Sequence, residues 1–423
     1  MYKEAIKRRS RMNISLPSQV KYIIDKIYEN GYEGFIVGGC VRDSILLKKP
    51  NDYDITTNAK PQRIKEIFKE FKLIENGIKH GTVGVIINNE VYEITTYRIE
   101  GEYENNRHPK NVEFTNQLVE DLKRRDFTIN AMAYNDKVGL IDEFDGMIDI
   151  ENKIIRTVGN PDERFEEDGL RIIRAIRFSS KLNFEIEENT MKSIYSKHKI
   201  LQNISIERIT DEINKIIKSD NPQKIMLLYY TGVFDIIGMN LLIKDKFIEE
   251  KIKIVKTIKT LEEKIALIEY ILDTEQNINN IVGYKNLTQV LRYSNQIIKD
   301  VKEIKSYMDV DLTNIDKIEI KKQLRIGNLE KIKQSLNIKK IYNNEYKEDL
   351  YKENIYIEKC ISTIDEIVSS KECYKLSQLD INGKDLIKHG YKGDKIGEKL
   401  EEILMYVIEN PQNNQKENLL KLL

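Results

Sequence analysis

A change of texture near Pro161 constrains this chain most. Before about residue 150, short runs of β-branched and aromatic residues alternate with turn signals. Thr82-Val83-Gly84-Val85-Ile86-Ile87, the pair Asn88-Asn89, and Val91 to Tyr97 read as a β-hairpin. After Pro161 come long stretches of Ile, Leu, Lys and Glu at helical spacing with few prolines, so the remainder reads as all-helical. Breaks are expected at Asn160-Pro161, at Asn221-Pro222, between Asp309 and Asn314, and at Leu379-Asp380-Ile381-Asn382-Gly383. The pattern predicts an α+β region followed by helices.

The 423 residues suffice for about two to four domains with a substantial core. No apolar run approaches the roughly 18 to 20 residues of a spanning helix, and Met1 to Arg11 is basic and polar, so a cytoplasmic location away from membranes is expected. Cys40, Cys360 and Cys373 stand far from any Cys/His cluster with metal spacing, which argues against a disulfide scaffold and against zinc. Cys40 reads as a small core-facing residue. Lys plus Arg equals Asp plus Glu at 69 each, so composition alone does not announce nucleic-acid binding. Basic clusters at Lys7-Arg8-Arg9 with Arg11, at Lys123-Arg124-Arg125, and at Lys321-Lys322 with Arg325 either neutralise phosphates or form solvated helix faces.

The stretch from Phe35 to Asp54 carries the first chemistry. Phe35-Ile36-Val37 is strand-like, Gly38-Gly39 permits a tight turn, and Val41 to Leu47 has helix-forming residues. A strand-turn-helix presents free backbone N–H groups, glycine lets an anion approach them, and Arg42 adds a cation; plain turn geometry is the alternative. Asp52 and Asp54 lie two apart, and on a strand both carboxylates would project from one face. Such a pair either binds Mg²⁺, which takes one or two carboxylates plus substrate phosphates, or makes a solvated turn. Glu93, in the alternating segment Val91 to Thr96, is placed to join them across a sheet.

Gly38-Gly39-Cys40-Val41-Arg42-Asp43 followed by Asp52-Tyr53-Asp54 resembles the opening motif of class II tRNA nucleotidyltransferases, the CCA-adding enzymes, and of their bacterial poly(A) polymerase relatives. Leu122 to Ala133, with Arg124-Arg125-Asp126 at its centre, resembles that family's second motif; Asp142, Asp145-Gly146 and Asp149 resemble its third. Arg164 to Arg171, with Arg174 and Arg177, resembles its nucleotide-selecting motif. Beyond residue 178 the likeness thins to Ile206-Glu207-Arg208-Ile209 and a C-terminal stretch.

The resemblance implies a DNA polymerase beta-like nucleotidyltransferase head, a mixed sheet with helices, over residues 1–150. A helical neck (151–220), body (221–350) and tRNA-binding tail (351–423) would follow. For the tail an ordinary amphipathic pair is the alternative, because Ile396, Leu400, Ile403, Leu404 and Val407 are spaced as a core stripe. The implied activity is template-independent addition of C, C and A to the 3′ end of tRNA from CTP and ATP, with no obligate protein partner. Asp52 and Asp54 would be the metal ligands, and Glu93 would complete the site or receive the hydroxyl proton. The Gly39 backbone, Arg42 and Arg125 would hold the triphosphate, unless Arg124-Arg125 instead pair with Glu120, Asp121 or Asp126. Asp168 and Arg171, i,i+3 on one helix and continued by Arg174 and Arg177, would read the base: a carboxylate accepts from the amino group of cytosine or adenine while guanidinium donates to the adjoining ring nitrogen. Uracil and guanine would oppose both groups.

Within the family, Lys79-His80-Gly81-Thr82-Val83 argues against a poly(A) polymerase, with His80 itself read as structural. Gly101 to Phe114, including Arg107-His108-Pro109, fits the flexible loop expected for ATP addition; this disfavours a CC-adding specialist and leaves an A-adding one open. A catalytically silent tRNA-binding protein is the alternative of another class, opposed by the intact acids. Two positions depart from the family pattern: Leu47 stands where glycine is usual, and Gly169 where alanine or proline is usual, which is expected to loosen a helix's first turn.

Overall fold

The structure is a computed structural model that describes residues 13–101, 103–104, 108–109, 112–275, 285–313, 315–346 and 351–423. The chain forms two compact units, Met1–Leu241 and Leu242–Leu423.

The first unit is built on a seven-stranded mixed sheet. Strands β1 (Gly34–Val37), β2 (Ile55–Thr57), β3 (Lys72–Ile74), β4 (Thr82–Ile87), β5 (Glu90–Thr96), β6 (Met132–Asn135) and β7 (Gly139–Asp142) lie in the order β7-β6-β1-β2-β5-β4-β3. All neighbours are antiparallel except β2 and β5. β4 and β5 form the expected hairpin, and Asn88 and Asn89 both take positive φ, 51° and 66°, as the tight turn that follows strand twist requires. Helix α1 (Ser18–Glu29) buries Val20, Ile23, Ile24 and Ile27, one face of a helix. Phe35 and Val37 of β1 join Ala133 of β6, Tyr97, Leu118 and Leu122 in a buried cluster.

Helices α2 (Gly39–Ile45), α3 (Leu118–Lys123), α4 (Gly146–Asn152), α5 (Pro161–Glu167), α6 (Leu170–Leu182) and α7 (Ile206–Ile217) complete the framework of the site. The break at Asn160-Pro161 is real: Asn160 caps α5 by accepting from the Asp162 N–H at 2.9 Å. The helical half is not wholly free of strand. Ile154–Ile155 and Glu185–Ile186 pair in parallel, a ladder too short to leave a period in the sequence.

The second unit is helical, with α8 (Leu261–Glu275), α9 (Asn295–Met308), α10 (Lys317–Ile326), α11 (Leu329–Tyr346), α12 (Tyr351–Ser369), α13 (Gly383–Lys388) and α14 (Asp394–Glu409) as its longer or site-relevant helices. α9 stops at Met308 and α10 starts at Lys317, so the break expected between Asp309 and Asn314 is present. Ile403, Leu404 and Val407 are core, with Ile396 and Leu400 packed against them, as the amphipathic reading required. The Lys321-Lys322-Arg325 cluster is not an open phosphate grip. Lys321 is buried against Glu372 at 2.6 Å, and Arg325 Nε pairs with Glu401 at 2.9 Å, because both lie on the face of α10 that packs inward. The Lys7 to Arg11 cluster lies outside the described residues.

Among the described residues no helix is long and apolar enough to cross a membrane, and Cys40, Cys360 and Cys373 are free and buried.

Candidate active site

The turn between β1 and α2 requires its glycine. Gly38 has φ +83°, and a Cβ there would come within 2.9 Å of Arg125 Nη1. The missing side chain lets a guanidinium from the second motif lie on the turn. Arg125 is only partly paired: Nη2 reaches Asp121 Oδ2 at 3.5 Å, and Nε is buried without a hydrogen-bond partner. Arg124 takes the structural role instead, donating Nε and Nη2 to Asp121 Oδ1 at 3.0 and 2.9 Å. Asp121 is fully buried; burial alone would raise its carboxyl, but Arg124 and Arg125 hold it below the usual range.

Arg42 is turned inward rather than open to a ligand. It is 3% exposed, its Nε and Nη2 donate to Asp43 Oδ1 at 2.8 and 2.6 Å, and its Nη1 donates to Asn130 Oδ1 at 2.5 Å. Cys40 faces the core as expected, its thiol pushed up to about 12 chiefly by burial.

The Asp52-Tyr53-Asp54 segment corrects the strand reading. β2 begins only at Ile55, so the two acids sit on non-strand chain just before it, with Asp54 tied to β1 by the Val37 N–H donating to its carbonyl at 3.0 Å. β2 and β5 run parallel with Ile55 opposite Ile94, which sets Asp54, the residue just before β2, beside Glu93, the residue before Ile94 in β5. All three acids are open to solvent. Protein nevertheless crowds Asp54, and this burial is the first cause raising its carboxyl; Asp52 and Glu93 add repulsion, and Arg125 opposes it. Among the described residues, no group of three or more His, Cys, Asp and Glu is closed into a metal cage. The donors are hard carboxylate oxygens whose mutual repulsion Arg125 only partly offsets, a set that suits a divalent cation completing its shell with substrate oxygens.

The second and third motifs brace this arrangement. Asp126 accepts from the Phe127 N–H at 2.9 Å, from Asn130 Nδ2 at 3.1 Å, and from Arg174 Nε and Nη2 at 2.9 and 2.6 Å. Burial pushes its carboxyl up, but Arg174 and Asn130 overcome that and hold it at about 2. Asp142 accepts from the Gly146 and Met147 N–H groups at 2.8 and 3.0 Å and so starts α4. Asp149 accepts from Thr128 Oγ1 at 2.6 Å. The third motif therefore shapes its own helix start through Asp142 and holds Thr128 of the second motif through Asp149.

The nucleotide-selecting motif is not one helix. α5 ends at Glu167, Asp168 is extended with φ −138° and ψ 104°, and α6 starts at Leu170. Asp168 and Arg171 are consequently not a helical i,i+3 pair. Asp168 Oδ1 accepts from the Leu170 N–H at 3.1 Å, and Oδ2 accepts from Arg208 Nη2 of α7 at 3.1 Å. Arg171 is buried: Nη1 donates to the Arg164 carbonyl at 3.0 Å and to Glu167, and Nη2 donates to the Arg124 carbonyl at 2.9 Å. Arg174 meets Asp126, and Arg177 lies 2.6 Å from Glu212 of α7. Arg208, Glu212 and Asn130 were not legible as site residues. Arg208 lies in the segment Ile206 to Ile209, where the likeness had already thinned. At Gly169, Ile200 Cγ2 lies 2.8 Å from where a Cβ would sit, so the close packing of Ile200 requires the absence of a side chain there.

His80 closes a short 3₁₀ turn before β4, its carbonyl accepting from Arg98 Nη1, in keeping with a structural role. Of the segment Gly101 to Phe114, residues 102, 105–107, 110 and 111 lie outside the described residues, including Arg107.

Comparison with known proteins adds three family matches: the Poly A polymerase head domain over residues 34–156, the RNA and SrmB-binding site of polymerase A over 183–239, and tRNA nucleotidyltransferase domain 2 over 256–423. A CCA-adding enzyme of Oceanobacillus iheyensis is 48% identical over 202 residues, a match spanning 48% of this chain and 50% of that one. The CCA-adding enzyme of Ligilactobacillus salivarius is 37% identical over 415 residues and is covered, like this chain, to 94%. The crystal structure of Bacillus stearothermophilus CCA-adding enzyme in complex with CTP superposes with a TM-score of 0.73 at 28% identity, covering 96% of this chain and 97% of that one.

Proposed function

The chain belongs to the CCA-adding enzymes, tRNA nucleotidyltransferases that build the 3′ CCA end without a nucleic-acid template, and from that premise we propose how its own residues divide the work. The observation that carries the reading is the convergence of Asp52, Asp54, Glu93 and Arg125 beside the Gly38-Gly39 turn.

The family uses a divalent metal, and Mg²⁺ is the ion this donor set favours, held by Asp52 and Asp54. When bound, it supplies charge stabilisation at the attacking and leaving oxygens of phosphoryl transfer. Glu93 completes the acidic face or receives the proton of the tRNA 3′ hydroxyl. The Gly39 backbone and Arg125 cradle the triphosphate. Arg125 suits this because it is already close, partly unpaired and cationic. Arg42 contributes its charge from behind the turn. Asp168 offers the acceptor for the exocyclic amino group of cytosine or adenine. Arg171 would exchange its contact with Glu167 for the neighbouring ring nitrogen, with Arg174 and Arg177 continuing the cationic side of the pocket. Residues 1–150 form the catalytic head in this reading, 151–220 the neck, 221–350 the body and 351–423 the tail on tRNA. CTP, ATP and a tRNA 3′ end are its partners in the cytoplasm.

The direct test incubates the protein with tRNAs ending in the discriminator base, in C and in CC, with labelled CTP and ATP supplied separately and together. Completion of CCA and arrest there is expected. Extension of the CC-ended tRNA alone would make the protein an A-adding specialist, and no labelling would make it a silent binding protein.

A further inference from the structure

Three arginines of the nucleotide site converge on one aromatic ring. The guanidinium carbons of Arg42, Arg174 and Arg177 lie 5.1, 5.5 and 4.0 Å from the centroid of Phe178, which is 4% exposed. Arg42 comes from α2, beside the glycine turn, whereas the other two come from α6. Such a cluster opposes itself. Arg177 is lowered to about 10, first by burial and then by the repulsion of Arg174, with Arg42 adding to it.

Acids offset part of this repulsion: Asp43 faces Arg42, Asp126 faces Arg174 and Glu212 faces Arg177. Each arginine already has one carboxylate partner, so a further carboxylate would leave the cluster net negative and repel a nucleotide triphosphate. An aromatic ring does not, because its face attracts cations through a quadrupole while the group stays neutral. Its edge is fixed as well, since Phe127 of the second motif meets the Phe178 ring edge-on at 5.6 Å and 76°.

We infer that Phe178 is a positioning residue for nucleotide binding, whose ring holds Arg42, Arg174 and Arg177 together as one arginine cluster behind the site that takes the triphosphate of CTP or ATP. The inference rests on the reading above that these arginines serve the nucleotide. It goes beyond that reading by assigning their alignment to a neutral side chain with no polar atom. A leucine there would lose the alignment together with part of the packing, whereas a fluorinated ring would keep the packing and weaken the alignment alone.

The test uses the full chain and a tRNA ending in C or CC. Phe178→Leu is expected to raise KM for both CTP and ATP about tenfold with kcat within about twofold, and Phe178→Tyr to restore the wild-type KM. Because Phe178→Leu also disturbs the core, phenylalanines carrying one, two and three ring fluorines at position 178 form the second arm. They keep the shape and drain the quadrupole, so log KM should climb stepwise with fluorine number at unchanged melting temperature. A flat series overturns the inference. Arg174→Ala and Arg177→Ala separate it from the underlying reading: raised KM in these variants with a flat fluorine series removes only the role of Phe178, whereas unchanged KM in them removes the nucleotide-binding reading itself.

Discussion

Arg208 of α7 donates from Nη2 to Asp168 Oδ2 at 3.1 Å, so the carboxylate assigned to base selection is oriented by a residue on a separate helix. Its other oxygen is fixed by the Leu170 N–H at 3.1 Å. A carboxylate held at both oxygens discriminates better than a freely rotating one, because a wrong base cannot be accommodated by turning it. Asp168→Ala is expected to lower selection against UTP and GTP by about 10² or more, and Arg208→Ala to lower it less, in the same direction. Single-nucleotide incorporation of all four triphosphates on tRNA ending in C measures the ratios. Unchanged ratios in Asp168→Ala would refute the base-reading assignment.

Asp52→Ala or Asp54→Ala is expected to abolish transfer, by about 10³ or more, while tRNA affinity changes little, since neither side chain forms part of the packed core. Chelation with EDTA should stop the wild-type reaction and added Mg²⁺ restore it. Filter binding beside a transfer assay separates the two effects; retained turnover in either variant would remove the metal assignment.

What the sequence revealed here follows the range over which each contact acts. The Asn88-Asn89 hairpin is a local event with a two-residue period on either side, and it formed as read. Glu93 was reached by alternation alone, but what brings it to Asp54 is the parallel pairing of β2 with β5, and no local pattern encodes that pairing. Arg42 was legible as a cation, whereas its burial depends on Asn130, 88 residues later. The helix through Asp168 was misread because acidic and basic residues at i,i+3 fit a helix equally well whether or not the backbone breaks between them. Asp168 ends the turn of α5 in extended conformation instead.

Asp126 makes stability depend on acid. Its folded-state carboxyl is held at about 2, below the ordinary aspartate value near 3.9, because Arg174 and Asn130 outweigh burial. A depressed carboxyl contributes stability that is present in full above the unfolded value and is lost as pH falls through the folded one. Wild-type melting temperature should therefore fall between about pH 4 and pH 2 more steeply than that of Asp126→Asn, and the two should run parallel from pH 5 to 7. Differential scanning calorimetry across that range checks it; parallel curves throughout would show that the ion pair with Arg174 adds nothing to folding.

Leu47 ends α2 in a conformation suited to glycine. Its φ is +56°, the Leu47 N–H donates to the Ser44 carbonyl at 3.0 Å, and the Lys48 N–H donates to the Asp43 carbonyl at 2.8 Å, the paired bonds of a Schellman cap. The departure from the family's usual glycine thus leaves the helix end intact and places its cost in the backbone, roughly 1–2 kcal/mol for an L-residue in the left-handed region. The side chain recovers none of this, being 95% exposed. Glycine would relieve the strain and add about 0.5–1 kcal/mol of chain entropy to the unfolded state. Leu47→Gly is accordingly expected to stabilise the protein by about 0.5–1 kcal/mol, seen as a higher urea midpoint at unchanged slope. Transfer rates should stay at the wild-type level, because the cap geometry leading toward Asp52 is the same with either residue. A lower midpoint would mean that the exposed leucine makes a contact in the folded protein that outweighs its backbone strain.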